Sequence, residues 1–413
     1  MVNIAAFRAL RPAENVAARL VSVPYDVIER DEARQMAADN PVSYLRIIRS
    51  DLEFADSQDP YAPAVYEKAA ANLRAFEDQG WLVREPEPCL YIYRLNWRDQ
   101  VQTGLVAGSS VRDYENDVIK KHEFTRPEKE RDRTVHIDTL GANTGPVFLL
   151  YRSSENPDIA RSMNSFADQN DPLYDLSFDD GVRHRVYRVP AGELQNQLLR
   201  SFSALRATYI ADGHHRAASA VSNGKKRRAQ NADEQAAFNY FLTVIFPDEE
   251  LSILPYNRVV RDLNGRTPAG LLENIKSRFT LQPGKLDDPG NFDCNMFLDG
   301  QWYHLHAPEN LYDSSDEIGS LAVSIIQKHI LQPELAIDDP RTSDRIAFVG
   351  GIKGDAELER LVNSGKFAVA FSMPPVQPEQ LVRVADAGKV MPPKSTWFEP
   401  KLRSGFFVHL LDR

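Results

Sequence analysis

The segment at residues 209–216, Tyr-Ile-Ala-Asp-Gly-His-His-Arg, limits the possible folds more than any other part of the chain. The apolar run at 205–210 predicts a strand, and the run at 214–222, rich in small helix-forming residues, predicts a helix. Gly213 lies between them, and glycine accepts the backbone angles of a sharp turn that other residues avoid. The sequence therefore predicts a strand that leads directly into the N-terminus of a helix.

The rest of the chain mixes short apolar strands with isolated helices and shows no internal repeat. Helices are predicted at 29–38, 63–79 and 317–330, and strands at 19–23, 89–97, 101–111, 146–151, 238–246 and 367–371. The polar stretch 152–175 is predicted to connect two lobes. Because hairpins and helices follow one another without a repeated strand–helix–strand unit, the predicted fold class is α+β.

The length of 413 residues predicts more than one domain. We expect an N-terminal α+β lobe at 1–155 and a core at 156–265 that contains the strand–turn–helix segment. A C-terminal α+β lobe at 266–413 is expected to pack on the other two.

The composition is that of a globular protein in a reducing compartment. Hydrophobic residues make up 42% and charged residues 26%, the net charge is −10, and the two cysteines are Cys89 and Cys294. The acidic balance disfavours a nucleic-acid partner. Without a signal-peptide pattern or a long apolar run, we expect a soluble cytoplasmic protein with no membrane partner. The basic run at 225–228 is interpreted as a solvated loop that follows a helix end at 223–224.

His214, His215 and Arg216 follow directly on the turn. A helix N-terminus presents unpaired backbone N–H groups and the positive end of the helix dipole, so it stabilises an anion. Arg216 adds a guanidinium that can hold a phosphate group with two N–H donors. A plain N-cap formed by Asp212 is the simpler interpretation, but it leaves the two histidines and the arginine unexplained. We therefore predict a phosphate site formed by Asp212, Gly213, His214, His215 and Arg216.

This Asp-Gly-His-His-Arg box resembles the phosphate-binding box of the ParB/sulfiredoxin superfamily, which includes partition proteins, sulfiredoxins and free-serine kinases. The chain as a whole resembles a bacterial and archaeal family known as a domain of unknown function, number ten-fifteen. The segments that carry this wider resemblance are 23–28, 40–43, 122–125, 212–216, 254–258 and 391–401. The resemblance implies a ParB/sulfiredoxin-like core with insertions and an additional α/β lobe. It also implies phosphoryl transfer to free L-serine, with ATP, ADP or pyrophosphate as the donor.

A second group of charged and polar residues lies at 122–143. It is not a helical zinc-protease motif, because no second histidine lies four residues after His122. A solvated helix with surface ion pairs explains most of these residues, and on the residues alone this interpretation is slightly favoured. The family resemblance favours a site instead. The residues then assigned to it are Glu123 and His122 as catalytic groups, Lys129 and Arg133 at the phosphate, and Thr125 and Asn143 at the acceptor.

Tyr25-Asp26 after Pro24 is either an ordinary turn or the rim of a pocket, and both interpretations stay open. At a pocket rim, Asp26 is a candidate base and Tyr25 a substrate-binding residue. A serine hydroxyl is a poor nucleophile at neutral pH, and a nearby carboxylate helps by accepting its proton. Glu123 is slightly preferred to Asp26 as the base, because the cations around Glu123 would keep it ionised.

The favoured function is a small-molecule kinase that phosphorylates L-serine, with Mg²⁺ as the expected cofactor. The alternative is a nucleotide- or phosphate-binding regulatory protein of the ParB type without kinase activity. A sulfiredoxin-like reaction needs a cysteine in the phosphate box, where this chain has His214. Because phosphoryl transfer needs its charges within one small volume, we predict that 122–133 folds back onto the 209–216 turn.

Overall fold

The computed structural model describes residues 1–412. They divide into two compact units, one formed by 1–251 together with 400–412, and the other by Ser252–Glu399. These limits differ from the three lobes expected from the sequence. The strands at 147–151 and 240–247 pair in one sheet and so hold most of 1–155 and 156–265 in the same unit.

Residues 1–412 contain thirteen α-helices and twenty-one strands, and the α+β class is confirmed. The helices are α1 (Ala17–Leu20), α2 (Arg30–Ala37), α3 (Leu45–Ile48), α4 (Pro63–Asp78), α5 (Val111–Glu115), α6 (Pro127–Leu140), α7 (Asp158–Gln169), α8 (Glu193–Ser203), α9 (His214–Arg228), α10 (Pro268–Lys276), α11 (Ala322–Ile326), α12 (Gly354–Asn363) and α13 (Pro378–Asp386). The strands are β1 (Ile4–Ala5), β2 (Leu10–Pro12), β3 (Leu82–Arg84), β4 (Leu90–Trp97), β5 (Gln100–Ser110), β6 (Ile119–Lys120), β7 (Ala142–Asn143), β8 (Val147–Tyr151), β9 (Tyr174–Ser177), β10 (Arg183–Val189), β11 (Thr208–Asp212), β12 (Tyr240–Pro247), β13 (Ser252–Leu254), β14 (Tyr256–Val260), β15 (Thr280–Pro283), β16 (Asp293–Leu298), β17 (Gln301–His306), β18 (Ile346–Gly350), β19 (Val369–Ser372), β20 (Trp397–Glu399) and β21 (His409–Leu410).

A sheet of nine described strands forms the centre of the first unit. Its order is β6-β11-β8-β12-β5-β4-β10-β9, and β1 also pairs with β5. β6 with β11 and β8 with β12 are parallel pairs, and the other neighbours are antiparallel. The register between β11 and β8 shifts between Ile210 and Asp212. This irregularity lies at the end of β11, where the chain leaves the sheet for α9.

Helix α9 packs on this sheet through its small apolar face. Ala217, Ala220 and Val221 belong to the same buried cluster as the strands, and burial of such side chains is the main source of stability. Helix α6 lies beside α9, and the Ser219 hydroxyl donates to the Glu130 carbonyl at 2.9 Å. The first turns of α6 are therefore fixed against the first turns of α9.

The basic run 225–228 is the last turn of α9, so the loop interpretation of this run was wrong. Gly224 lies inside α9 and does not end it. Glycine here permits a close approach of the neighbouring chain, because a Cβ would lie 2.7 Å from the Phe238 carbonyl oxygen. Each basic side chain pairs with a carboxylate. The pairs are Lys225–Glu115 (3.4 Å), Lys226–Asp138 (2.5 Å), Arg228–Glu115 (2.6 Å) and Arg227–Asp412.

The second unit contains a separate antiparallel sheet. Among its described strands the order is β15-β17-β16-β19-β14-β18, and β13 pairs with β20. The helices of this unit bury apolar residues on the sheet, as Leu271 of α10 and Leu358 of α12 show. None of the helices in 1–412 combines the length and the hydropathy that a membrane crossing requires.

Candidate functional site

Helix α9 begins directly after the turn, as predicted. β11 ends at Asp212, Gly213 adopts a φ of 97°, and α9 starts at His214. Within residues 1–412 no side chain caps this helix, so the simpler interpretation of Asp212 as an N-cap is not supported. A Cβ at Gly213 would lie 3.2 Å from Nε and 3.3 Å from Cζ of Arg216. Glycine is therefore favoured here by its backbone angles and by the space that Arg216 occupies.

The Asp212 carboxylate pairs with two cations. Its Oδ2 lies 3.0 Å from Nζ of Lys401 and 4.0 Å from Nη2 of Arg216. Burial acts to raise the pKa of this carboxyl, but the charges of Lys401 and Arg216 outweigh burial and hold the pKa well below its usual range. Asp212 is therefore ionised at neutral pH.

Arg216 links the turn to Asp26. Its Nη1 donates to the Pro146 carbonyl, and its Nη2 donates to Oδ2 of Asp26 at 3.4 Å. The side chain is 11% exposed, and its Nε has no hydrogen-bond partner among the described residues. A buried N–H donor without a partner in the protein is rare, and this one is available to an anionic ligand. Lys401, Asp212, Arg216 and Asp26 thus form a row of alternating charges, here called the charged row.

The loop between β6 and α6 lies against the start of α9. The His122 backbone N–H donates to Nε2 of His214 at 3.4 Å, and the Arg126 N–H donates to Nε2 of His215 at 2.9 Å. Oε2 of Glu123 lies 3.8 Å from Nδ1 of His214. The predicted approach of 122–133 to the turn is therefore present, although 92 residues separate His122 from His214.

Burial keeps the histidines of this cluster uncharged. The rings of His122 and His214 meet edge to face, with their centroids 4.5 Å apart. Burial lowers the pKa of His122 to about 4, and burial together with His122 lowers the pKa of His214 well below its usual value. The pKa of His215 is lowered by burial and by Lys129. A neutral His214 that accepts at Nε2 carries its proton at Nδ1, which faces Glu123.

A pocket of about 320 Å³ opens beside Asp26. Its volume is in the range of sites for small molecules. It lies among α2, α4, α6 and the segment that follows α3. Residues that line it include Tyr25, Asp26, Tyr66, Lys129, Asp132 and Arg133.

Hydrogen bonds hold one wall of this pocket in place. Arg133 Nε donates to one oxygen of Asp132 at 2.8 Å, and the Tyr66 hydroxyl donates to the other at 2.7 Å. The Arg133 guanidinium also lies over the Tyr25 ring, 4.3 Å from its centroid. Burial and the neighbouring Asp26 raise the pKa of Tyr25 to about 12, so its phenol stays protonated. The wall therefore presents fixed charges and a neutral hydroxyl.

Two of the predicted acceptor residues lie elsewhere. Thr125 donates from its hydroxyl to Oε2 of Glu130 at 2.8 Å. Asn143 is buried, and its Oδ1 accepts the Leu242 N–H at 3.4 Å. Asn143 lines a smaller cavity of about 30 Å³, room for a water molecule. Neither residue lines the 320 Å³ pocket.

Lys401 lies at the turn, a position that the sequence did not predict. It follows Asp212 by 189 residues and lies in the segment 400–412. Ser404 of this segment exchanges backbone hydrogen bonds with Ser22, at 3.0 and 2.9 Å. The segment therefore lies beside the chain that leads to Asp26. One sequence signal could have pointed to Lys401: it is the last residue of 391–401, one of the segments that carry the family resemblance.

The charged row contains two carboxylates that would be available to a metal ion arriving with a phosphate ligand. Among residues 1–412, no group of three or more His, Cys, Asp or Glu side chains is arranged to hold a metal ion. However, Mg²⁺ in phosphoryl-transfer sites is usually held by one or two carboxylates together with the phosphates of the substrate. Oδ2 of Asp26 and Oδ2 of Asp212 both face Nη2 of Arg216, at 3.4 and 4.0 Å. Asp212 and Asp26 are therefore the carboxylates that would hold such an ion.

Several solved structures are similar to this chain at low identity. A free serine kinase in complex with AMP matches over 71% of this chain and 86% of its own, with 12% identity and a TM-score of 0.34. SbnI from Staphylococcus aureus, with a C-terminal truncation, matches over 74% and 87%, with 11% identity and a TM-score of 0.39. A conserved hypothetical protein from Pyrococcus furiosus matches over 74% and 95%, with 14% identity and a TM-score of 0.34.

No curated protein matches the chain. A family model matches residues 4–328, most of the chain, and this is the family that the sequence resemblance predicted. The chain therefore belongs to the family described as Protein of unknown function (DUF1015).

Proposed function

We propose that this protein transfers a phosphoryl group to the hydroxyl of a small molecule, with L-serine as the favoured acceptor. The observation that carries the proposal is the position of Asp26. Its Oδ2 lies 3.4 Å from Arg216 at the start of α9, and the same residue lines the 320 Å³ pocket. A carboxylate between a phosphate site and an acceptor pocket is placed where a general base is needed.

The terminal phosphate of the donor would bind at the start of α9. The first N–H groups of α9 and the helix dipole favour an anion there. The Arg216 Nε, which lacks a partner among the described residues, adds a charged donor at the same place. ATP, ADP and pyrophosphate are the candidate donors that the family resemblance implies, and all three carry a terminal phosphate.

The acceptor would occupy the 320 Å³ pocket with its hydroxyl toward Asp26. The pocket wall carries both signs of charge, since Lys129 and Arg133 lie there with Asp132. An amino acid at neutral pH carries both an ammonium and a carboxylate, so a wall of mixed charge suits it better than an apolar one. This match supports L-serine among the possible alcohols.

In the proposed step, the Asp26 carboxylate accepts the hydroxyl proton while the hydroxyl oxygen bonds to the terminal phosphorus. The bond between that phosphorus and the bridging oxygen of the donor breaks, and the shortened donor leaves. Arg216 stabilises the charge on the transferred group. When bound at Asp212, Mg²⁺ supplies further charge neutralisation at the donor phosphates.

Glu123 is the second candidate for the base. Its side chain is 55% exposed and faces His214 at 3.8 Å. It does not line the 320 Å³ pocket. The geometry therefore favours Asp26, whereas the sequence alone slightly preferred Glu123.

The proposal is tested by product formation. Purified protein is incubated with Mg²⁺, L-serine and either ATP, ADP or pyrophosphate, and O-phosphoserine is measured by ³¹P NMR and mass spectrometry. We expect product with at least one donor, and a large loss in Arg216→Ala. Arg183→Ala is the control, because Arg183 pairs with Asp175 on β9, away from the turn.

No product from any donor, or an Arg216→Ala variant as active as the wild type, would contradict the kinase proposal. Binding of a donor without turnover of L-serine or other small alcohols would instead support the alternative, a nucleotide- or phosphate-binding regulatory protein.

A further inference from the structure

We infer that Lys401 binds the phosphate of the donor directly and is a further substrate-binding residue; this inference rests on the proposed phosphotransferase function. The ammonium of Lys401 lies 3.0 Å from Oδ2 of Asp212, the last residue before the turn. The side chain of Lys401 is 21% exposed and that of Asp212 is one-third exposed, so the solvent reaches both. A lysine at a phosphate site acts as a point charge without strict directional requirements.

Backbone hydrogen bonds hold the segment that carries Lys401 on the C-terminal side of that residue. Ser404 pairs with Ser22, and Val408 pairs with Leu10 at 2.8 and 3.0 Å. Further along, β21 pairs with β7. Because the backbone is fixed by these pairs, loss of the Lys401 side chain should leave the segment in place.

The charges of the site explain why a second cation is needed. Without Lys401, the charged row holds two carboxylates and one cation, so an approaching phosphate would meet a net negative charge. The helix N-terminus offsets about half an elementary charge. Arg216 is already shared between Asp26 and Asp212, at 3.4 and 4.0 Å. Lys401 brings the row to two carboxylates and two cations, and it places a positive charge at the edge of the turn.

Two roles for Lys401 can be separated by experiment. It either contacts the phosphate or only neutralises Asp212. The measurement is calorimetric titration of pyrophosphate, and of ADP, in EDTA, so that a metal ion bound by Asp212 plays no part. The proteins are wild type, Lys401→Met, Lys401→Arg, Asp212→Asn and the double variant Lys401→Met/Asp212→Asn.

Lys226→Met is the matched control, because Lys226 also pairs with a carboxylate of the same unit, Asp138, at 2.5 Å. We expect Lys401→Met to weaken anion binding about tenfold or more, the effect of one lost charged hydrogen bond. Lys401→Arg should stay within about threefold of the wild type, since it keeps a cation. Lys226→Met should bind as the wild type does. Thermal unfolding of each variant monitors the fold.

The double variant decides between the two roles. If Lys401 contacts the phosphate, the double variant stays weak although the charge of Asp212 is gone. Wild-type affinity in the double variant would overturn the inference, because neutralisation would then be the only role of Lys401. Unchanged affinity in Lys401→Met, with a loss in Arg216→Ala, would also overturn it and leave the proposed function standing. If the wild type binds neither anion, both the inference and the proposed function fail.

Discussion

Asp26 and Asp212 both approach the guanidinium of Arg216, and Lys401 pairs with the second of them. Each carboxylate is one-third exposed, and ion pairs with this degree of exposure contribute little to stability, roughly 0.2–1 kcal/mol each. The charged row is therefore poorly explained as a stabilising element. Oriented charges beside a helix N-terminus are well suited to a phosphate, because they need no reorganisation when it binds. The small stability term also means that single substitutions of Asp26, Asp212 or Lys401 should leave the protein folded.

The first prediction concerns the base. We expect Asp26→Asn to lower turnover about a hundredfold or more, because the hydroxyl loses its proton acceptor. Donor affinity should change only a few-fold. Glu123→Gln should keep turnover within a few-fold of the wild type. The measurement is kcat and KM for both substrates in each variant.

The opposite pattern, a large loss in Glu123→Gln with Asp26→Asn active, would make Glu123 the base. If both folded variants keep nearly full turnover, neither carboxylate accepts the proton.

At the residue scale, the sequence revealed what lies within a few positions and missed what does not. The strand, turn and helix start at 212–216 could be predicted because the residues that form them are contiguous. Lys401 could not, because it reaches Asp212 across 189 residues. The assignment of Thr125 to the acceptor depends on a hydroxyl that in the structure bonds to Glu130, five residues away. The sequence does not show whether a side chain bonds to a ligand or to a residue nearby in the chain, such as one in the helix that follows its loop.

At the scale of the element, the turn at Gly213 determines where α9 and Arg216 point. The second prediction is that Gly213→Ala weakens anion binding at least tenfold. A left-handed backbone at an alanine costs about 1–2 kcal/mol, and the new Cβ would lie 3.2 Å from Arg216 Nε and displace the guanidinium.

The matched control is Gly181→Ala. Gly181 also has a positive φ, 76°, but a Cβ there meets nothing within 4 Å. Both variants should lose a similar amount of stability in urea, and only Gly213→Ala should lose affinity for pyrophosphate. Equal affinities in the two variants would mean that Arg216 adjusts without loss, and that the turn does not position it.

The helix with a strong hydrophobic periodicity was predicted well, whereas a helix with few apolar residues among many polar ones was missed. The helix predicted at 63–79 is α4 (Pro63–Asp78), whose buried residues recur every three to four positions. The stretch 152–175, predicted to be a connection, contains α7, in which four residues among twelve are buried. Gly224 was misread because a glycine that ends a helix and a glycine that permits a close contact look alike in sequence. Only the neighbouring chain near Phe238 distinguishes them.

At the scale of the whole molecule, the two units differ in their buried histidines. Of the nine histidines in 1–412, five are buried and all five lie in the first unit: His122, His136, His184, His214 and His409. Burial lowers their pKa values, to about 4 for His122 and about 3 for His136 and His184. The unfolded chain takes up protons below pH of about 6.5, while the folded unit stays neutral at these positions.

The third prediction follows from this difference. Because the unfolded state binds more protons, the stability of the first unit should fall as the pH drops from about 6.5 towards 4. The slope is at most about 1.4 kcal/mol per pH unit for each such histidine, reached where the unfolded imidazole is fully protonated and the folded one is neutral. The three histidines of the second unit are all at least partly exposed. The stability of the second unit should therefore change less in the upper part of this pH range.

Each unit contains one buried cysteine, which serves as its reporter: Cys89 in the first and Cys294 in the second. Thiol labelling with dithiodipyridine in urea, read by mass spectrometry at pH 7.5 and 5.5, gives the unfolding midpoint of each. We expect the midpoint for Cys89 to fall more than the midpoint for Cys294. Equal shifts would show that the buried histidines do not set the acid stability of the first unit.

The most direct measurement of the proposed site is a crystal structure of the wild-type protein with pyrophosphate, and a second with ADP, each without acceptor. The terminal phosphate is expected at the start of α9, within hydrogen-bond distance of backbone N–H groups of the first turn and of Arg216, and beside Asp26. Density for the anion elsewhere on the molecule, with the start of α9 unoccupied in both crystals, would contradict the phosphate site and the function built on it.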